Sequence, residues 1–337
     1  MKQAATGALV GLAVGDAMGF PTEFNDMAQI EAKCGPWRTM PLPLSSGRAY
    51  VTDDTQMTLA LGEGLVEAMA GGRALTAGSM EPPVRARFVE WYTSPDNNRA
   101  PGMTCLRACE ALSLGGRWQE ASDIGSKGCG ANMRVAPLGL VPGLDRRQLS
   151  GAAQLQSALT HGHPTALAAS DLTAYAVRLL ADGVGTAALL PALRDHARES
   201  RDAYRADWLG DLADRAHDQD RAAFTARGWD ECLAVIDRLA AALRTADPEA
   251  DPCLATGAGW IAEEAFATGL FCFLLLHDDP PAVVRRAAYS SGDSDSVAAL
   301  AGAFAGAHHG AAAWPGEWVR DIEYRDRLLA LGAAWDA

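Results

Sequence analysis

Two short acidic segments, residues 52–55 and 292–296, hold the side chains best suited to chemistry. They read Thr-Asp-Asp-Thr and Gly-Asp-Ser-Asp-Ser, and each precedes a stretch with helical periodicity. Taken singly, either segment is explained by N-capping, because Asp, Ser and Thr are preferred caps and carboxylates suit the positive end of a helix. A cap needs only one side-chain oxygen, however, and clustered carboxylates repel one another unless a cation lies between them. The two segments together therefore favour a metal site.

We expect the ligands of this site to be oxygen atoms only. No cysteine or histidine adjoins either segment, which favours hard ions such as Mg²⁺, Mn²⁺ or Ca²⁺ over zinc. Adjacent side chains in a helix point about 100° apart, so Asp53 and Asp54 converge on one ion only where the backbone is not yet helical. The sequence therefore predicts that both aspartates lie at the junction before the helix.

Helical signals dominate the rest of the chain and predict an all-α fold. Alanine and leucine are abundant, and runs of alternating β-branched residues are nearly absent. Apolar residues recur with a helical period in residues 4–18, 55–70, 82–92, 104–114, 151–159, 166–181, 187–198, 229–244, 260–276 and 297–309. We interpret residues 1–337 as one compact bundle with a charged peripheral helical lobe at about residues 194–251.

Two helical segments carry small residues at every fourth position. The stripes are Gly7, Gly11, Gly15 and Gly19, and Ala298, Gly302, Gly306 and Gly310. Residues four apart lie on one helix face, so each stripe lets another backbone approach closely. Because a glycine costs about 1 kcal/mol of helix propensity relative to alanine, the stripes need a compensating reason. We expect both helices at the centre of the bundle, bringing together the loops before them; composition drift is the alternative.

Charge and cysteine content restrict the partners and the compartment. Lys and Arg total 29 against 42 Asp and Glu, a net charge of -13, which makes a nucleic-acid partner or an anionic membrane surface unfavourable. The seven cysteines show no CxxC spacing, which disfavours disulfides or zinc and favours the cytoplasm. Residues 4–14 resemble a signal-peptide core, but Asp16 interrupts them, so a buried helix is predicted. The most apolar run elsewhere, residues 265–276, is too short to span a membrane.

Six segments, in order along most of the chain, resemble the ADP-ribosylglycohydrolases, which include the dinitrogenase reductase-activating glycohydrolase and the human ADP-ribosylarginine and ADP-ribosylserine hydrolases. They are residues 7–23, 52–56, 128–134, 160–164, 259–265 and 292–296. The resemblance implies an orthogonal helical bundle that binds two Mg²⁺ or Mn²⁺ ions. It implies hydrolysis of the glycosidic bond between ADP-ribose and a modified protein side chain, with arginine as the first choice. The implied partners are an ADP-ribosylated protein and ADP-ribose.

The resemblance also assigns the site residues. The implied metal ligands are Thr52, Asp53, Asp54, Asp293, Asp295 and Ser296. The implied catalytic residues are Glu23, Asp54 and Asp295, with Glu23 as a substrate-positioning or acid/base residue beside the reacting ribose. The implied substrate-binding residues are Gly128, Cys129, Gly130, Met133, Arg134 and His161. A metal pair of this kind can hold the 2- and 3-hydroxyls of the distal ribose and orient a water for attack at its anomeric carbon.

The chain departs from the family pattern at a few positions. Family members often carry asparagine where this chain has Cys129, and threonine where it has Ser294 and Ser296. The serines keep a ligand oxygen, whereas Cys129 puts the fine nucleotide contacts in question. Alternative substrates are ADP-ribosylserine, poly(ADP-ribose), O-acetyl-ADP-ribose and an ADP-ribosylated nucleobase. Alternative functions are a non-catalytic ADP-ribose-binding relative and a two-metal phosphohydrolase acting on another nucleotide.

Overall fold

The computed structural model describes residues 2–336, which are helical apart from loops and isolated β-bridges, with no β-strand in that range. The α-helices are α1 (Ala4–Gly19), α2 (Met27–Cys34), α3 (Asp53–Ala68), α4 (Ala77–Thr93), α5 (Met103–Ser113), α6 (Trp118–Ala121), α7 (Ala136–Leu140), α8 (Arg146–Ala158), α9 (Pro164–Ala181), α10 (Thr186–Ser200), α11 (Ala206–Leu209), α12 (Arg221–Ala242), α13 (Pro252–Thr256), α14 (Ala262–Leu276), α15 (Pro280–Ala288), α16 (Ser294–His309), α17 (Gly316–Asp321) and α18 (Arg325–Trp335). Short 3-10 helices cover Trp37–Thr39, Ala70–Gly72, Cys129–Ala131, Leu212–Arg215, Leu243–Thr245 and Ala311–Ala313. The predicted all-α fold is confirmed.

Helices α1 and α16 pack antiparallel and make the most extensive contact of any helix pair in the described chain. Their glycine faces lie against each other: a Cβ added at Gly15 would lie 2.0 Å from the carbonyl oxygen of Ala298, and one at Gly7 would lie 2.6 Å from that of Gly306. Both helices are buried almost throughout. The prediction of two central, closely packed helices is confirmed, and so is the buried helix at residues 4–14.

The antiparallel packing changes which loops meet. Because the start of α16 lies beside the end of α1, the loop before α16 meets the loop after α1. The Ser294 hydroxyl donates to the carbonyl of Gly19 at 3.0 Å and lies 3.0 Å from the Thr22 hydroxyl. The prediction that the loops preceding both helices meet is therefore wrong. The acidic segment 292–296 instead lies beside the loop that carries Glu23.

The remaining helices surround this central pair. Helices α14 and α15 pack on α16, α9 packs on α7, α8 and α12, and α3 packs between α4 and α18. Each predicted helical segment overlaps an α-helix, but α4 begins at Ala77 instead of residue 82, because Thr76 and Ser79 form a capping box. Helix α15 escaped prediction because it is short and begins with Pro280 and Pro281, although proline suits the first turn of a helix.

Residues 194–251 pack on the bundle chiefly through α12, which contacts α9 and α14, and through α11, which contacts α8. Helix α12 buries Phe224, Trp229 and Ile236 against its neighbours, while its outer face pairs Asp230 with Arg201 at 2.6 Å. The described helices include none with both the length and the apolar character needed to cross a bilayer. All seven cysteines are free thiols.

Candidate active site

The two acidic segments, which are far apart in sequence, lie side by side at one cleft. The Ser296 hydroxyl donates to the Asp54 carboxylate at 3.4 Å. Glu23, Asp293 and Asp295 each place a carboxylate oxygen within 4.8 Å of the other two. These five side chains line a cleft of ≈ 340 Å³, and Asp53 lines it with them. The fold thus brings together the acidic residues that the sequence nominated.

A buried aspartate in α1 orients the first acidic segment. The Asp16 carboxylate accepts hydrogen bonds from the backbone amides of Thr52 and Thr55, both at 3.0 Å. It also accepts from their hydroxyls, at 2.9 and 2.5 Å. Thr52 is buried and does not line the cleft; its hydroxyl caps α3 by accepting from the amide of Asp54 at 3.3 Å. Asp16 went unrecognised in the sequence, although a carboxyl group in an apolar helix needs hydrogen-bond partners.

Asp53 and Asp54 are the first two residues of α3, so the prediction that both precede the helix is wrong. Their side chains therefore diverge, as helical neighbours do. One oxygen of Asp53 accepts from the backbone amide of Gly102 at 3.1 Å. Asp54 faces Ser296, and its Oδ2 is buried with no hydrogen-bond partner. A buried carboxylate oxygen left unpaired is costly, and a cation would satisfy it.

The second acidic segment is not explained by capping. Asp293 stands at the N-cap position of α16, yet its carboxylate makes no capping hydrogen bond. The backbone around it is fixed by close contact, because a Cβ at Gly292 would lie 1.8 Å from the carbonyl oxygen of Ala258. The Asp293 amide donates to that same carbonyl at 2.8 Å. The backbone of Asp293 is thereby fixed where its carboxylate lines the cleft beside Asp295 and Ser296.

Burial and mutual repulsion raise the pKa values of these carboxyl groups. Burial, and then the charge of Asp295, raises the pKa of Glu23 to about 9. Burial raises the pKa of Asp53 and of Asp293 to about 7. The pKa of Asp54 lies well above its usual range, first through burial and then through Asp295. No lysine or arginine is among the described residues that line the cleft, so these side chains fit hard divalent cations, which would offset the repulsion.

A glycine-containing turn also lines the cleft. Gly128, Cys129, Gly130, Met133 and His161, all predicted to bind substrate, line it. The turn is tied to the start of α14, because the amide of Cys129 donates to the carbonyl of Trp260 at 3.1 Å. Close packing requires glycine at position 130, where a Cβ would lie 2.7 Å from the Cys105 sulfur.

Arg134, the remaining predicted substrate-binding residue, does not line the cleft. Its guanidinium is fully buried and donates to the Gln156 side chain at 2.9 Å, to the Gly130 carbonyl at 3.1 Å and to the Thr160 hydroxyl at 2.8 Å. The Thr160 hydroxyl lies 2.8 Å from Nδ1 of His161. That hydroxyl accepts from Arg134 and has two possible acceptors for its own proton, Nδ1 at 2.8 Å and the Ser157 carbonyl at 3.5 Å. We assign its proton to the shorter contact, with Nδ1, which leaves the histidine proton on Nε2. Arg134 therefore lies behind the residues that line the cleft, where it bonds to Gly130 directly and contacts His161 through the Thr160 hydroxyl.

Burial, with a contribution from the Arg134 charge, lowers the pKa of His161 to about 3. Its ring is therefore neutral at physiological pH. Nε2 faces Gly128, since a Cβ at that glycine would lie 3.4 Å from it. The cleft thus receives a neutral N–H donor from this histidine.

An aromatic pair at the rim was not found from the sequence. Phe24 and Trp260 are 70% and 42% exposed, and their rings stack with centroids 5.3 Å apart. Both line the cleft beside Glu23. Phe24 has a φ of +62°, which is uncommon for a large side chain. Neither residue falls in a pattern that predicts exposure, because large aromatics are usually core residues.

Comparisons with known proteins identify similar chains. The ADP-ribosylarginine hydrolase Tri1 of Pseudomonas putida is 29% identical over 339 residues, which cover 97% of this chain and 76% of that protein. The ADP-ribosyl-(dinitrogen reductase) glycohydrolase of Rhodospirillum rubrum is 27% identical over 340 residues, covering 97% and 96%. A solved structure described as an ADP-ribosylglycohydrolase-related protein complex superposes with a TM-score of 0.67 at 26% identity, covering 99% of this chain and 97% of that one. The ADP-ribosylglycohydrolase family model matches residues 1–336, so the chain belongs to the ADP-ribosylglycohydrolase family.

Proposed function

We propose that this protein is a metal-dependent ADP-ribosylhydrolase that cleaves ADP-ribose from arginine side chains of a modified protein. The reaction releases ADP-ribose and restores the guanidinium group. The observation that carries the proposal is the meeting of Asp54 and Ser296 beside Asp293 and Asp295 at an open cleft. Membership of the family supports the reaction class, and the named activities of the two relatives support the bond.

Two Mg²⁺ or Mn²⁺ ions are the proposed cofactors. Their proposed ligands are Asp53, Asp54, Asp293, Asp295 and Ser296, together with Thr52, whose hydroxyl oxygen keeps one lone pair beyond its bond from the Asp54 amide. When bound, the ions supply positive charge that holds the ribose hydroxyls and acidifies a water molecule. The diverging side chains of Asp53 and Asp54 suit two separate ions better than one shared ion.

The side chains of the cleft have separate proposed roles. Asp54 and Asp295 lie where negative charge favours the oxocarbenium-like transition state of the ribose. Glu23 lies beside Asp295 at the cleft, where it can exchange a proton with the attacking water or the leaving nitrogen. His161 donates a neutral hydrogen bond to the nucleotide, and the glycines of residues 128–130 let backbone amides approach the diphosphate.

Two features of the cleft favour a cationic leaving group. The cleft combines carboxylates with the exposed, stacked rings of Phe24 and Trp260. Guanidinium groups bind well to both, through charge and through cation–π contact with the ring faces. A serine hydroxyl would gain neither contact. Arginine is therefore the proposed acceptor residue.

The test compares peptides ADP-ribosylated at arginine and at serine, with the protein stripped of metal and then supplied with Mg²⁺ or Mn²⁺. We expect free ADP-ribose and unmodified arginine, identified by mass, only when the divalent ion is present. Faster turnover of the serine peptide would show that the protein acts on ADP-ribosylserine in preference to ADP-ribosylarginine. Release of phosphate without ADP-ribose would indicate a phosphohydrolase. Binding of ADP-ribose with no turnover of either peptide would indicate a non-catalytic relative.

A further inference from the structure

A nearly buried ion pair lies behind the first acidic segment, outside the cleft. Arg99 donates from both terminal nitrogens to Glu323, at 2.5 and 3.0 Å, and the two side chains are 15% and 7% exposed. A bidentate pair of this kind has a fixed geometry as well as a favourable charge. The two residues are 224 positions apart. The pair thus joins the loop before α5 to the short segment before α18.

This ion pair holds the peptide that leads into the acidic segment. The backbone amide of Val51 donates to Glu323 at 3.1 Å, and the Val51 carbonyl accepts from Arg99. The backbone amide of Glu323 donates to the carbonyl of Ala49 at 2.9 Å. The segment that carries Glu323 therefore runs alongside the peptide that leads into the acidic segment. Both polar groups of the buried residue immediately before Thr52 are therefore fixed by the pair.

The loop that carries Arg99 also contacts the candidate site directly, at Gly102, three residues further along the chain. The amide of Gly102 donates to Asp53 at 3.1 Å, and Pro101 and Gly102 line the cleft. Between them and Arg99, Ala100 adopts a φ of +48°, which non-glycine residues rarely do. A strained residue persists only where its surroundings fix the chain on both sides. Anchoring of Arg99 is one of those constraints, so the direction of the Gly102 amide depends on it.

We propose that Arg99 and Glu323 are positioning residues for the candidate metal centre: their ion pair sets the backbone before Thr52 and the loop that contacts Asp53. The inference rests on the proposed metal-dependent function. Neither side chain touches the cleft, so their effect reaches the ligands through Val51 and Gly102. Groups that orient metal ligands influence metal affinity, and changing them typically weakens it about 10–100-fold.

The test measures Mn²⁺ binding by calorimetry on the full chain after removal of metal with a chelator. Glu323→Gln removes the charge that holds Arg99, and Arg99→Lys keeps the charge but cannot bond to Glu323 and to Val51 with the same planar geometry. The matched control is Glu63→Gln, because Glu63 makes a bidentate pair with Arg327, at 2.9 and 3.0 Å, that joins α3 to α18 without touching residues 49–53. Thermal unfolding of each metal-free variant is recorded alongside.

We expect Glu323→Gln to weaken Mn²⁺ binding at least about tenfold and Arg99→Lys to give a smaller loss, while Glu63→Gln stays within about twofold of the wild type. Saturating Mn²⁺ should restore kcat in Arg99→Lys, with KM for the substrate unchanged. Wild-type affinity in either folded Arg99 or Glu323 variant would overturn the inference, and so would an equal loss in Glu63→Gln. If Glu323→Gln does not fold, the Mn²⁺ affinity of Arg99→Lys alone tests the inference. A wild-type protein that binds no divalent ion would overturn the proposed function instead.

Discussion

Replacing Asp293 with asparagine removes one negative charge from the buried acidic cluster while keeping the shape of the side chain. The carboxylate makes no capping bond to α16, so the substitution deletes no cap. The residue is 7% exposed, and its pKa is raised to about 7 by burial, with Glu23 adding repulsion. In the metal-free protein we therefore expect Asp293→Asn to be more stable than the wild type at neutral pH.

The size of this effect follows from the pKa shift. Below the ordinary aspartate value of 3.8, both folded and unfolded chains hold the proton, and ionisation of Asp293 adds no stability difference between wild type and variant. As the pH rises, the unfolded chain releases the proton first, so the wild type loses about 1.4 kcal/mol per pH unit until the folded carboxyl also ionises near pH 7. The stability gap therefore grows to about 4 kcal/mol and then stays constant. This gap is an upper bound, because the dipole of α16 favours a negative charge at Asp293.

The measurement is chemical unfolding of both proteins in a chelating buffer at pH 4, 6 and 8, followed by the same series with Mn²⁺. We expect Mn²⁺ to narrow the gap at pH 8, because a ligand at 100 times its Kd adds about 2.7 kcal/mol to the protein that binds it, which offsets more than half of the gap of about 4 kcal/mol. Asp145→Asn is the control: Asp145 caps α8 in an exposed position by accepting from the Gln148 amide at 2.8 Å. Its asparagine variant should show no comparable gain between pH 4 and pH 8.

Two outcomes would refute this reasoning. The first is a metal-free Asp293→Asn protein that is less stable than the wild type at pH 8. The second is a stability difference that stays constant from pH 4 to pH 8. Either outcome would mean that the Asp293 carboxylate is already neutralised by protein groups, and the electrostatic case for a cation would fail with it.

Three further substitutions test the catalytic, rim and packing arguments. Asp295→Ala should abolish hydrolysis with unchanged far-UV circular dichroism, and an unchanged rate would remove the metal argument. Trp260→Ala should raise KM for the ADP-ribosylarginine peptide about 2- to 30-fold, as expected for losing about 0.5–2 kcal/mol of cation–π contact, and a larger effect on a serine peptide would contradict the assignment. Gly15→Ala should destabilise the fold by about 1–3 kcal/mol in urea unfolding, because its Cβ would lie 2.0 Å from the Ala298 carbonyl oxygen. The control is Gly78→Ala in α4, which has open space around it and should be neutral or stabilising.

The sequence by itself determined the fold class and predicted the chemistry of the candidate site. Alanine- and leucine-rich periodicity predicted helices. The two small-residue stripes predicted that α1 and α16 are central helices with another backbone close to each, because glycine repeated on one face is costly unless a backbone packs against it. Six ordered segments, among them residues 52–56 and 292–296, identified the family. These properties depend on residue type and local spacing, which a linear chain displays directly.

The tertiary structure decided which groups face the cleft. Arg134 matched a family motif, yet burial and its bonds to Gly130 and Thr160 place it behind the residues that line the cleft. The antiparallel direction of α1 and α16 placed the loop of Glu23 beside Asp295, and either direction is compatible with the glycine stripes.

The bonds from Asp16 to Thr52 and Thr55, the Arg99–Glu323 pair and the exposed stack of Phe24 on Trp260 all join residues far apart in the chain. Only Asp16 left a sign in the sequence, as a charge within an apolar helix. Contacts of this kind depend on how helices are directed and packed in three dimensions. Local spacing records neither, so the sequence supplied the types of side chain at the candidate site and the fold supplied their arrangement.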